Sequence, residues 1–258
     1  MDNHSDIDTQ MMVRHQKARD KRARWEGVWQ DCYDYAWPQR GAMFSNTYGE
    51  GVRRGERLYD GTALDAVDQL ASLLLGNITP PLTSWFGLKP GTDINIDDAK
   101  KLAPLLEKAS RTLQAHFDQS NFIVELHQSL VDLIVAGTAS LAFEESDPGE
   151  MSAFTFTAIP LCHIVMEEGV RGILDSSYRN FTMTAAEIAA RYPDFILDDS
   201  ASLAGYTTND KTWDVTEEVV PVGNKSGYVY CAFLTESGEI LHRSTIVYQP
   251  YINFRWMK

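Results

Sequence analysis

The chain has 258 residues, 44% of them hydrophobic and 23% charged. That is enough for one large or two modest domains with a real core, and it excludes fibrous, collagen-like and broadly disordered classes. The formal net charge of -13 weighs against tight nucleic-acid binding, which relies on Lys and Arg to displace phosphate counterions. The simplest role of the acidity is solubility; the alternative is a channel wall along which DNA slides without sticking.

Residues 1–9 are polar and read as a disordered N-terminus. From Gln10 to Tyr35 the pattern is helical. Trp25, Trp29 and Tyr33 recur at i, i+4 and i+8, and Val28, Cys32 and Ala36 widen the stripe. Such a stripe reads as core in preference to interface. Arg14, Lys17, Arg19, Lys21, Arg22 and Arg24 make the first half of this helix basic. It reads as a solvated face or a subunit contact, with DNA contact as the alternative. Pro38 ends the helix.

Arg40 to Arg57 is a glycine-rich loop, read as a flexible arm. A second helix starts at Asp60–Thr62, where Thr62 and Asp65 resemble a capping box. Its apolar stripe is Leu64, Val67, Ala71 and Leu74. Gly76 takes the C-terminal cap position, and Pro80-Pro81 blocks continuation. Trp85, Phe86 and Leu88 form an apolar cluster, either a strand or a packed loop. A third helix follows Asp97-Asp98, with Leu102, Leu106, Ala109, Leu113 and Phe117 on one face. Pro104 marks its true first turn, leaving residues 97–102 as a separate short piece. A fourth helix runs from Phe122 to Ala136, and Gly137 stops it.

After Gly137 the period changes from 3.6 to 2. Phe154, Phe156 and Ala158 alternate with Thr155 and Thr157, after a turn at Asp147-Pro148-Gly149. Further strands are expected near 139–145, 162–168, 172–182, 213–221, 227–235 and 240–248, with Ser237-Gly238 turning between the last two. One short helix interrupts them: Thr184 and Glu187 form a capping box and Pro193 follows Tyr192. The fold class is therefore α+β, with a helical part over 10–137 and a mostly antiparallel β-rich part over 138–258.

The chemistry of the sequence is sparse. The six histidines form no HxH or HExxH pattern, and the three cysteines, Cys32, Cys162 and Cys231, are far apart and make no CxxC pair. No metal or cofactor is indicated, and a reducing compartment is the simplest inference for the thiols. There is no GxSxG elbow. The glycines at 49, 51 and 55 lack the Lys-Ser/Thr of a phosphate-binding loop. Glu144-Glu145 and Glu167-Glu168 are adjacent carboxylates that a strand points to opposite faces, which makes them edge charges and poor acid–base pairs. No apolar run approaches the roughly 18 residues that cross a bilayer. The reading is not an enzyme; a soluble enzyme with a site assembled from scattered residues is the last alternative.

Four stretches together resemble the head-to-tail connecting (portal) protein family of T7-like short-tailed phages. They are Trp29…Tyr35-Ala36-Trp37-Pro38; Leu58-Tyr59-Asp60-Gly61-Thr62-Ala63 through Leu73-Leu74-Leu75-Gly76-Asn77-Ile78-Thr79-Pro80-Pro81 to Trp85-Phe86-Gly87-Leu88; Ser120-Asn121-Phe122 with Gly137-Thr138-Ala139-Ser140-Leu141; and Ile159-Pro160-Leu161 with Tyr178-Arg179 and Thr184-Ala185-Ala186-Glu187. The resemblance implies a structural virion protein, one subunit of a dodecameric ring at the capsid vertex. DNA is packaged and ejected through that ring, and the tail attaches to it. The implied partners are further copies of the chain, the capsid protein, the terminase that supplies the energy, tail adaptor proteins, and double-stranded DNA that passes without sequence-specific binding. The implied place is the virion, and the host cytoplasm during assembly. The family's proteins are longer, so this chain resembles the wing region, with stem, clip and crown absent from it. A different head–tail adaptor or minor capsid protein is the alternative. A closed ring needs two different surfaces per subunit. The candidates are Arg14, Arg19, Arg22 and Arg24 on one side and Glu144, Glu145, Glu167 and Glu168 on the other, with opposite charge setting register.

Overall fold

The computed structural model describes residues 3–40, 44, 58, 60–80, 83–146, 148–169, 172–195, 212–222 and 227–256. Among these described residues, five helices, α1 (Asn3–Ala36), α2 (Thr62–Ile78), α3 (Ile96–Gln119), α4 (Phe122–Ala136) and α5 (Ala185–Arg191), accompany eight strands. The strands are β1 (Thr138–Glu145), β2 (Phe154–Ile159), β3 (Ile164–Glu168), β4 (Leu174–Thr184), β5 (Thr212–Pro221), β6 (Tyr228–Leu234), β7 (Ile240–Ile246) and β8 (Tyr251–Arg255). The fold is α+β, and every strand pair is antiparallel. The chain divides into two compact units: Met1–Gln30 with Pro160–Gln249, and Asp31–Ile159 with Pro250–Lys258. This division differs from the helix-to-strand change at 137/138. That change is one of local period, whereas a compact unit is defined by which surfaces cover one another.

In the unit built on Asp31–Ile159, β1 lies between β2 and β8. Its middle residues are buried in succession rather than alternately, because both of its faces are covered, and it has a partner along each edge. β8 supplies the second one, pairing Leu141 with Ile252 and Ala139 with Phe254. β8 went unread in the sequence because Tyr251–Arg255 is only five residues long, although Pro250 sets it off from β7. Helix α4 covers one face. Leu130, Val131, Leu133 and Ala139 pack with Val67 and Ala71 of α2, and Phe122 packs with Leu141, Phe156 and Ala158. Phe122 lies 4.9 Å from Phe156, 5.0 Å from Phe117 and in a 5.8 Å stack with Trp85, measured between ring centroids. Trp85–Leu88 is thus a packed loop and not a strand; the Leu88 amide donates to Ser110 Oγ. The free edge of β2 is satisfied from α4: Asn121 both donates to and accepts from the Phe156 backbone, at 2.7 and 2.9 Å, and Glu125 accepts the Ala158 amide at 2.7 Å. Gly137 ends α4 with φ +74°, a left-handed conformation that only glycine adopts without strain.

Four local readings need correction. Helix α1 begins at Asn3, where residues 1–9 read as disordered, because a helix once nucleated propagates through any polar residue that is not a breaker. Thr62 does not cap α2; Asp60 does, accepting from the Thr62 amide and hydroxyl at 3.1 and 2.8 Å. Gly76 stays inside α2, which ends at Ile78, where Thr79 Oγ1 donates back to Leu75 O. Helix α3 runs unbroken through Pro104. Proline removes one backbone donor there, and the flanking turns carry the helix across. The turn at 148–149 is present; Asp147, Pro81 and most of the glycine-rich 40–57 loop, including the glycines at 49, 51 and 55, lie outside the described residues.

In the unit built on Pro160–Gln249, the sheet order is β3-β4-β5-β6-β7. Helix α5 lies against one face, where Ile188 and Tyr192 join Met183, Val215, Ala232, Leu234 and Leu241. Its start is the expected capping box, with the Glu187 carboxylate accepting from the Thr184 amide at 2.7 Å. Residues 11–22 of α1 take the other face. Ala18 packs with Val165, Tyr178 and Val220, and Met11 packs with Cys231 and Phe233. The buried side of α1 is therefore Met11, His15, Ala18, the partly buried Arg22 and, further on, Tyr33. Trp25 and Val28 are 59% and 56% exposed, so the aromatic stripe is core only at its Tyr33 end.

Candidate functional site

Within β5, between Val215 and Val220, two acidic residues sit side by side, Glu217 and Glu218, each 1% exposed. A strand sends neighbours to opposite faces, so each carboxylate faces a different helix. Glu217 faces α5. It accepts from Arg191 at 2.9 Å, Tyr192 at 3.2 Å and Tyr230 at 2.8 Å, with Arg179 at 3.9 Å. The two phenols are pushed up, first by burial and next by the Glu217 charge. A carboxylate with this many donors is a structural knot.

Glu218 faces α1. Arg14 Nη2 lies 3.2 Å from its Oε1, an ion pair whose alignment does not make a hydrogen bond. Burial pushes the Glu218 carboxyl up, against Arg14 and Arg243. Next along α1, Lys21 binds Glu167 at 2.6 Å. Arg22 Nη1 lies 3.3, 3.2 and 3.0 Å from the carbonyls of Leu161, Cys162 and Ile164, closing the short turn after Pro160, while its Nε holds Glu26 at 2.8 Å.

These distances redistribute the candidate interface residues. Arg14 and Arg22 anchor α1 to its own unit. Glu167 binds the same helix of the same chain, through Lys21. Arg19 and Arg24 are exposed on α1, and Glu144, Glu145 and Glu168 are exposed at strand ends. Within the chain, Lys21 of the basic helix pairs with Glu167. The Glu217-Glu218 pair was missed because two carboxylates inside an apolar run look like an exposed strand edge. The usable signal was their position, flanked by Val215, Val219 and Val220.

In the unit built on Asp31–Ile159, Asp132 of α4 is 1% exposed. Tyr33 donates to it at 2.8 Å and Arg40 at 2.6 Å. Burial pushes its carboxyl up to about 6, opposed by Arg40 and Tyr33. On the surface, Ser72 and Asp68 of α2 approach His127 at 3.5 and 3.7 Å, both at Nε2. A nucleophile relay needs the acid on the other ring nitrogen, so this group is a core-edge contact. Among the described residues there is no group of three or more metal-type ligands, and no helix long and apolar enough to cross a membrane.

Among the described residues the buried charged groups form structural clamps. The profile of the bacteriophage head to tail connecting protein family matches residues 8–258. The chain belongs to that family. It is also similar to the probable portal protein of Bordetella phage BPP-1, 24% identical over 182 residues, which covers 70% of this chain and 32% of the relative. The chain thus spans about a third of that relative's length. The structure gives three of the four sequence stretches a physical meaning. Asp60 caps α2, Asn121 closes the β2 edge, Gly137 turns the chain from α4 into β1, Pro160-Leu161 forms the turn that Arg22 clamps, and Thr184 with Glu187 starts α5.

Proposed function

We propose that this connector-family chain is the wing part of a portal subunit, twelve copies of which close into a ring at the capsid vertex. DNA is packaged and ejected through the ring, and tail adaptors attach to it. The observation that supports this reading most is the family match over nearly the whole chain. The portal name of the phage relative points the same way. In this reading the terminase drives DNA, the capsid protein seats the ring, and assembly takes place in the host cytoplasm. The net charge of -13 would let DNA pass without adhering.

The interface reading narrows to the charges that α1 and the strands leave on the surface. Arg19 and Arg24 of one copy meet Glu144, Glu145 or Glu168 of the next, and they set register more than affinity. Negative-stain electron microscopy with mass measurement on the same sample tests both levels. Rings with a central hole are expected, and the Arg19→Glu, Arg24→Glu double variant should stay monomeric with unchanged circular dichroism. Monomers at every concentration would refute the ring. Rings from the double variant would refute the interface alone.

A further inference from the structure

His15 is the residue of the α1 face that the clamps leave unexplained. It is 5% exposed and wedged between two rings, with centroids 5.6 Å from Tyr178 and 6.2 Å from Phe233. Its Nε2 is buried without a hydrogen-bond partner. The site accepts a neutral imidazole as a flat, largely apolar filler. A second proton would place a cation there with no carboxylate on it. On its own helix the flanking charges are Arg19 and Arg22, and both repel it; from the sheet, only the Asn180 side chain favours it. We propose that His15 is a pH-operated latch: neutral, it seats residues 11–22 of α1 on the sheet, and protonated, it releases that segment and uncovers the β6 face beneath.

The other charged groups around the latch decide its sign. Arg14 reaches Glu218 of β5, Lys21 reaches Glu167 of β3, and Tyr178 of β4 carries its phenol near both of those carboxylates. Arg243 of β7 bears on Glu218, and burial, with the Arg179 and Arg22 charges, holds the His163 ring below its usual range. Burial holds the His15 ring at about 4. A depressed imidazole contributes stability above its unfolded value near 6.5, and that contribution is lost as pH falls toward 4. Glu218 works the other way, because protonating a buried carboxyl relieves it as pH falls. The latch is therefore read cleanly once Glu218 is made neutral.

Cys231 reports the movement. It is fully buried, packed with Met11 and Phe233. In the full chain carrying Cys32→Ser, Cys162→Ser and Glu218→Gln, its reaction with dithiodipyridine is followed between about pH 7 and about pH 4.5, normalised to the denatured chain; a rise of about fifty-fold is expected from linkage at His15. Circular dichroism over the same range should hold steady. Adding His15→Phe, which fills the slot without titrating, should abolish most of the rise, and His15→Gln serves if the phenylalanine variant misfolds. A flat response in the His15 chain, or an equal rise without the histidine, would overturn the proposal.

Discussion

The buried Asp132 site supports a worked prediction. Tyr33→Phe removes one hydroxyl from a fully buried ring and leaves Asp132 Oδ1 without its 2.8 Å donor. Shape and apolar burial are retained, so the loss is that of a hydrogen bond to a charged acceptor, about 1.5–3 kcal/mol. The loss should also depend on pH. The Asp132 carboxyl sits at about 6 in the fold against 3.8 unfolded. Its buried charge therefore costs stability progressively as pH rises between those values, by roughly 3 kcal/mol when fully ionised. Tyr33 offsets part of that cost, because it donates to the ionised form more strongly than to the neutral one. Urea unfolding followed by tryptophan fluorescence, with hydrogen exchange read on α4 amides, should show a loss of about 2 kcal/mol near pH 8 and about half of it near pH 5. An equal loss at both pH values, or a larger one under acid, would refute the reasoning: the hydroxyl would then not be serving an ionised carboxylate.

Two further outcomes separate local causes. Gly137→Ala should cost about 1–2 kcal/mol by thermal unfolding, purely from its φ of +74°, since an added Cβ there meets nothing within 4 Å; stability unchanged within error would mean that the turn from α4 into β1 relaxes. Arg22→Ala should lower stability by about 1–3 kcal/mol by releasing three carbonyls, while Arg24→Ala, on the exposed side of the same helix, should stay within about 0.5 kcal/mol. Equal effects in thermal melts would show that the Leu161–Ile164 clamp does not hold α1.

What the sequence by itself determined was local. The helical stripes over α2, α3 and α4, the stop at Gly137, the change of period that follows it, and the Thr184–Glu187 capping box all come from interactions within a few residues, and all are present. So are seven of the eight strands, to within a few residues at their ends. The family was legible as well, through a succession of short stretches. Tertiary structure alone decided which side of each element is covered. Helix α1 shows the reason most plainly. Its large residues Trp25 and Val28 form the stripe that a helical wheel selects, yet the covered side runs through Met11, His15, Ala18 and Arg22, because a flat sheet face with Tyr178 and Phe233 accepts small and planar side chains closely. The burial of Glu217 and Glu218, the carboxylate of Asp132 under Tyr33 and Arg40, and the return of β8 to the edge of β1 have the same origin. Each depends on partners many residues away, such as the 99 positions between Tyr33 and Asp132. Periodicity measures an element's own shape, and only the packed chain supplies the surface against which that shape is matched.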